Sequence, residues 1–126
     1  HLLAGEAWAH ARLKPFAGQT VRLEAPPLPA LDLTITAETD RVYASTGEVV
    51  IHDPALGRDL IVSKSGSAQT VVWNPWVDKA KRLSQFPDDA WQNMLCIETA
   101  NVMDDVITLE PGASHTLGVS ISANAL

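Results

Sequence analysis

A side-chain period of two is the feature that most constrains this chain. Leu31-Asp32-Leu33-Thr34-Ile35-Thr36 places three aliphatic residues on one face and three polar ones on the other, the pattern of a half-buried strand. Leu117-Gly118-Val119-Ser120-Ile121-Ser122 alternates again. Between them lie short β-branched runs, Val49-Val50-Ile51, Leu60-Ile61-Val62 and Val71-Val72-Trp73, followed by the apolar runs Met94–Ile97 and Val106–Leu109. Asp53-Pro54, Gly57, the Ser63–Ser67 stretch and Glu110-Pro111-Gly112 punctuate them as turns. Strands at this spacing predict an antiparallel β-sandwich. Trp76–Phe86 departs from the period: Val77, Ala80 and Leu83 recur every three residues between Pro75 and Pro87, which predicts one short helix near 76–86. Ala7–Leu13 fits a helical turn or a strand, and Pro26-Pro27 with Pro29 reads as a loop. No repeat or low-complexity linker divides residues 1–126, so they read as a single domain.

Composition narrows the function classes. The 126 residues are 46% hydrophobic and 19% charged, enough to bury a core. Nine Lys and Arg against fifteen Asp and Glu give a net charge of −6, and the densest basic cluster, Lys79, Lys81 and Arg82, adjoins Asp78. A nucleic-acid partner is not expected from such a field. The lone Cys96, inside Met94–Ile97, forms no intrachain disulfide and reads as a buried, inert thiol that suits a reducing cytoplasm. No uncharged segment approaches the length of a membrane span, and no signal-peptide pattern is visible. The chain starts at His1 and not at Met, as expected of a processed start or of a piece of a longer protein.

Few residues could carry chemistry. Glu98 closes the Met94–Ile97 run. Burial disfavours the charged form of a carboxylate and moves such a group towards the general-base range, although a strand-end Glu facing water is the more ordinary reading of the local string. Asp40, beside Arg41, reads as a surface ion pair or as an acceptor for the hydroxyls of a polar ligand. His1, His10, His52 and His115 make no metal-type spacing, so no metal site is expected, and His52 and His115 lie in turn-rich polar surroundings that suit solvated side chains. In Trp73-Asn74-Pro75-Trp76 the aromatic faces suit either sugar stacking or a core role. Phosphate loops, nucleophile elbows and HExxH helices are absent from the sequence.

Four strings stand in order: Thr39-Asp40-Arg41-Val42-Tyr43, Val71-Val72-Trp73-Asn74-Pro75, Phe86-Pro87-Asp88-Asp89 and Met94-Leu95-Cys96-Ile97-Glu98-Thr99-Ala100. Together with the closing Leu109-Glu110-Pro111-Gly112, they resemble the C-terminal part of the hexose-6-phosphate mutarotases. These form the glucose-6-phosphate 1-epimerase branch of the aldose 1-epimerase, or galactose mutarotase-like, superfamily. The likeness runs over about seven-tenths of the chain, from Leu31 to Ile121, and residues 1–30 match poorly. It implies an all-β antiparallel sandwich, here an incomplete C-terminal portion of the family's domain. It also implies an isomerase that interconverts the α and β anomers of an aldohexose 6-phosphate by acid–base ring opening. By position in the motifs, Glu98 matches the general base and Asp40 the substrate-binding aspartate. Neither a cofactor nor a metal is implied, because the reaction needs neither redox chemistry nor a Lewis acid; the implied partner is a small sugar phosphate.

The likeness is incomplete on the N-terminal side. The family's acid, a histidine in an Ala-Leu-His-(Thr/Ser)-Tyr-Phe strand, has no matching string here. His1 stands 39 residues before Asp40, close to the family spacing, and His10 stands 30 before it. His1 is the first choice and His10 the competitor. Arg12 and Arg22 do not match the arginines that bind the substrate phosphate, which are expected upstream of His1. A partial sandwich would leave apolar faces and strand edges open to self-association. A non-catalytic carbohydrate-binding module is the alternative reading, and a glycosidase using Asp40 and Glu98 as its carboxylate pair is a weaker third.

Overall fold

The computed structural model describes residues 7–12, 20–25 and 28–126, with the backbone alone for 7–12, 23–25 and 28–29. The described residues form nine strands and one α-helix: β1 Ala7–Arg12, β2 Thr20–Ala25, β3 Leu28–Thr34, β4 Thr39–Ala44, β5 Val49–Asp53, β6 Arg58–Ser65, β7 Gln69–Asn74, α1 Trp76–Arg82, β8 Met94–Ala100 and β9 Gly118–Ala125. They build a four-stranded sheet in the order β1-β8-β7-β4 and a five-stranded sheet in the order β3-β2-β5-β6-β9. Every pairing is antiparallel.

The hydrophobic period explains how the sheets meet. Val21, Val49, Ile51, Leu60 and Val62 of the five-stranded sheet pack with Val72, Leu95 and Ile97 of the four-stranded one, and Ile35 closes the cluster. Each fully buried aliphatic side chain contributes about 1.5–3 kcal/mol. β8 is central: β1 and β7 flank it, and Leu95 to Ala100 are all buried. Lys64 ties the two sheets together, its ammonium donating from β6 to the Gln69 carbonyl at 2.7 Å and to the Thr70 hydroxyl on β7.

The alternating and β-branched runs are strands, as the sequence predicts, with three corrections. Val106–Leu109 forms no strand; it lies in the connection that leaves β8 in one sheet for β9 in the other, where no ladder is at hand, and Val106 is 48% exposed. Pro29 lies within β3 and not in a loop; β3 is an edge strand, where the missing N–H is tolerated. Of the two readings of Ala7–Leu13, a helical turn or a strand, residues Ala7–Arg12 take the strand, β1. The helix is shorter than 76–86, because the backbone is extended at Leu83 (ψ 120°) and left-handed at Gln85 (φ 63°). Lys79, Lys81 and Arg82 fall in its last turn, where cations complement the helix dipole. No helix among the described residues is long and apolar enough to cross a membrane. β9 leaves Ile121 51% exposed at its sheet's edge.

Ile97→Ala should lower unfolding stability by about 2–5 kcal/mol in denaturant titration, the cost of a cavity between the sheets. Burial lowers the Lys64 ammonium from 10.5 to about 8, with the Asp105 carboxylate acting in the opposite direction. Between those two values the unfolded chain binds more protons at this residue than the folded one does, so the Lys64 contribution to stability rises with pH from about 8 to 10.5. Stability profiles of the parent and Lys64→Met should therefore differ in slope across that window and run parallel below it.

Candidate active site

β8 carries Glu98 on the face turned away from the core. Within the strand, Leu95 and Ile97 join the core, so Cys96 and Glu98 occupy the opposite face by the alternation of the strand. Glu98 pairs in register with Val71 on β7 and with Trp8 on β1, and it is only 8% exposed. The ordinary reading of a strand-end Glu in water is thereby overturned: a strand continuing to Ala100, with neighbours on both sides, encloses it. Burial, aided by the Glu98 charge, pushes the Cys96 thiol up to about 12.

Asp40 reaches the same face from β4. Its cross-strand partner is Trp73, and Val42 pairs with Val71. Asp40, Val42, Val71, Trp73 and Glu98 line an open depression of about 390 Å³, closed on one side by Val102 and Met103. Two carboxylates 58 residues apart in sequence thus meet over an apolar and aromatic floor. Such a surface can accept hydrogen bonds from several hydroxyls while an aromatic face covers C–H groups.

The wall formed by Val102 and Met103 carries no signal in the sequence. It is part of a turn pinned from two sides. Asp105 accepts from the Ala68 amide and from the Asn101 side chain, each at 2.8 Å. Asn101 also donates to the Gly66 carbonyl at 2.9 Å. His115 Nε2 lies 2.9 Å from that carbonyl and 3.0 Å from Asn101 Oδ1; both are acceptors, so Nε2 carries a proton. Gly66 is required in this knot, because its φ is +77° and a Cβ there would stand 2.1 Å from the Thr116 carbonyl oxygen. Met103 itself is left-handed (φ 52°) and 69% exposed beside the depression.

The Trp73-Asn74-Pro75-Trp76 string divides its labour. Trp73 faces the depression. Asn74 is fully buried and donates to the carbonyls of Trp91 (2.9 Å) and Met94 (2.8 Å), while its own Oδ1 accepts from the Trp76 amide at 2.8 Å. Trp76 packs on Trp91 with ring centroids 4.4 Å apart. Asn74 therefore fixes the start of α1 against the start of β8, a role that the sequence reading missed in favour of the tryptophans.

The remaining candidates sit elsewhere. His1 lies outside the described residues. His10 stands on β1 opposite Cys96, two register positions from the Trp8–Glu98 pair. His52 lies 2.6 Å from Asp59 on the five-stranded sheet, and His115 is structural as described above. Arg22 pairs with Asp32 at 3.2 Å, also on the five-stranded sheet.

Against known proteins, residues 6–122 match the family model described as aldose 1-epimerase. The chain belongs to the aldose 1-epimerase family. Within that family it is 38% identical over 92 residues to a Cenchrus ciliaris protein provisionally named a glucose-6-phosphate 1-epimerase, covering 72% of this chain and 28% of that protein. An Escherichia coli protein of the same provisional name is 35% identical over 68 residues, covering 53% of this chain and 23% of that one. The hexose-6-phosphate mutarotase branch indicated by the motifs is thus the branch whose names these relatives bear. Among solved structures, the provisionally named mutarotase YeaD of Salmonella typhimurium superposes with a TM-score of 0.64 at 25% identity, over 75% of this chain and 36% of that one. The structure of HI1317 superposes with a TM-score of 0.70 over 98% of this chain and 48% of its own, a likeness of fold at 24% identity. The chain therefore spans about a quarter of the curated relatives' length and under half of the solved chains. The galactose mutarotase-like sandwich is the fold of this aldose 1-epimerase family member.

Cys96 should be inert in the folded protein: at about pH 8 a thiol-specific disulfide reagent should titrate no sulfhydryl until denaturant is added, and then one per chain. Rapid labelling of the native protein would show that this face of β8 is open to solvent.

Proposed function

We propose that this chain supplies the base and the sugar-anchoring acid of a site that interconverts the α and β anomers of an aldohexose 6-phosphate. The observation that carries the reading is the convergence of a buried Glu98 and an exposed Asp40 on one depression that includes Trp73. Family membership supports the reaction class, and the relatives' names support the phosphorylated substrate.

In this reading Glu98 takes the proton of the anomeric hydroxyl. The C1–O5 bond breaks as its electron pair passes to the ring oxygen, which is protonated by an acid. Rotation about C1–C2 turns the other face of the carbonyl to the C5 hydroxyl, and the reverse proton transfers close the ring with C1 inverted. A carboxylate and an imidazole with separated pKa values can serve both directions. Asp40 accepts from sugar hydroxyls and fixes the ring for attack, while the Trp73 ring covers its apolar face. The acid is a histidine, with His1 and His10 as the two candidates. A phosphorylated sugar and a reduced buried thiol both accord with a cytoplasmic setting.

Magnetisation-transfer NMR on the glucose 6-phosphate anomers tests the reading. The protein should accelerate exchange over buffer, and Glu98→Gln should cost at least about a hundredfold in kcat. An unchanged rate in Glu98→Gln removes the base assignment. Calorimetric binding of the sugar phosphate with no exchange would instead make this a carbohydrate-binding module. Histidine-to-glutamine changes at positions 1 and 10 separate the two candidate acids, and the true one should cost about 10²–10⁴-fold.

A further inference from the structure

Lys79 belongs to α1, outside the strands that build the depression, yet it reaches two of the residues that line it. Its ammonium stands 3.4 Å from Asp40 Oδ2 and 3.3 Å from Glu38 Oε1. The same nitrogen lies 5.8 Å from the centroid of the Trp73 ring, within the range of a cation–π contact. Asp40 and Trp73 are cross-strand partners, so one ammonium holds both halves of a single pair. Of the basic cluster on α1, Lys81 and Arg82 are exposed, and the Lys79 side chain is the one turned in, at 29% exposure.

We propose that Lys79 is a positioning residue that locks the Asp40 carboxylate and the Trp73 ring into a preformed platform for the sugar. This rests on the reading of the depression as a sugar site. Asp40 is on the edge strand β4 with 58% of its side chain exposed. Unrestrained, such a carboxylate would be ordered only on binding, at the expense of affinity. Glu38 stands two residues before it on the same ammonium, and without Lys79 the two carboxylates would face each other as like charges. The ammonium also offsets the negative charge that Asp40 presents to an anionic substrate on a chain of net charge −6. The position of Lys79 follows from Asn74: that side chain fixes the Trp76 amide at the start of α1, and Lys79 lies three residues further along the helix.

The test measures the dissociation constant of glucose 6-phosphate by calorimetry, together with kcat and KM for anomer exchange. It uses the complete protein and the variants Lys79→Met, Lys79→Arg, Asp40→Asn and the Lys79→Met/Asp40→Asn double variant. Lys79→Met should raise the dissociation constant and KM about fivefold, the upper range for a partly exposed ion pair, with kcat within about twofold. Lys79→Arg, which keeps the charge, should stay within about twofold of the parent in both. In the Asp40→Asn background, Lys79→Met should weaken affinity less than it does in the parent, because the ion pair is already gone while the contact with Trp73 remains. Multiplying effects of the two substitutions, a fall in kcat at constant KM, or Lys79→Arg no better than Lys79→Met would each overturn the proposal. Lys79→Gln is read in the same way should the methionine variant fail to fold. Loss of the base reading shows separately, as an unchanged kcat in Glu98→Gln with the Lys79–Asp40 coupling in affinity intact; a parent that binds no sugar phosphate ends both.

Discussion

The enclosure of β8 is the constraint on which the rest of the structure depends. A strand paired on both edges and covered on both faces can hold a carboxylate at a fixed place with little solvent around it. Leu95 and Ile97 anchor one face in the inter-sheet core, and that anchoring commits Cys96 and Glu98 to the other. Shifting the register of β8 by a single residue would exchange the two sets, exposing the core residues and burying the carboxylate between the sheets. The hydrophobic effect that stabilises the sandwich is thus also what orients Glu98.

Around this strand, irregular segments are fixed by hydrogen bonds as well as by apolar contacts such as Trp76 on Trp91. Asn74 ties three backbone groups together where β7, α1 and β8 converge. Asn101, Asp105 and His115 bind the turn behind Val102 and Met103 to the Gly66 loop. Both sets place polar side chains where backbone groups would otherwise be buried without partners, a desolvation cost of about 1–3 kcal/mol each. The regular sheets supply the floor of the depression, and these polar knots supply its walls and the helix that carries Lys79.

Much of the fold was legible because a half-buried strand writes its period into the sequence. Leu31–Thr36 and Leu117–Ser122 show that period, and the β-branched runs between turn formers mark β5, β6 and β7. The failures have physical reasons. Val106–Leu109 has the composition of a strand but lies where the chain changes sheets, and ladder partners are not written into a local string. Pro29 looks like a loop residue until β3 is known to be an edge. The helix ends at Arg82 because of backbone geometry at Leu83 and Gln85 that the three-residue repeat does not encode.

By itself, the sequence determined the family and the β-rich architecture, because ordered motifs and periodicity are local properties of the chain, and the family resemblance implied an acid at Asp40 working with another at Glu98. Only the tertiary structure decided that Glu98 is enclosed while Asp40 is open, that Trp73 and not Trp76 faces the depression, that Met103 forms its wall, and that one lysine of the basic cluster on α1 turns back to hold Asp40. Those facts depend on cross-strand register and on the docking of a helix against a sheet. Both are set by contacts between residues tens of positions apart, which no local pattern can record.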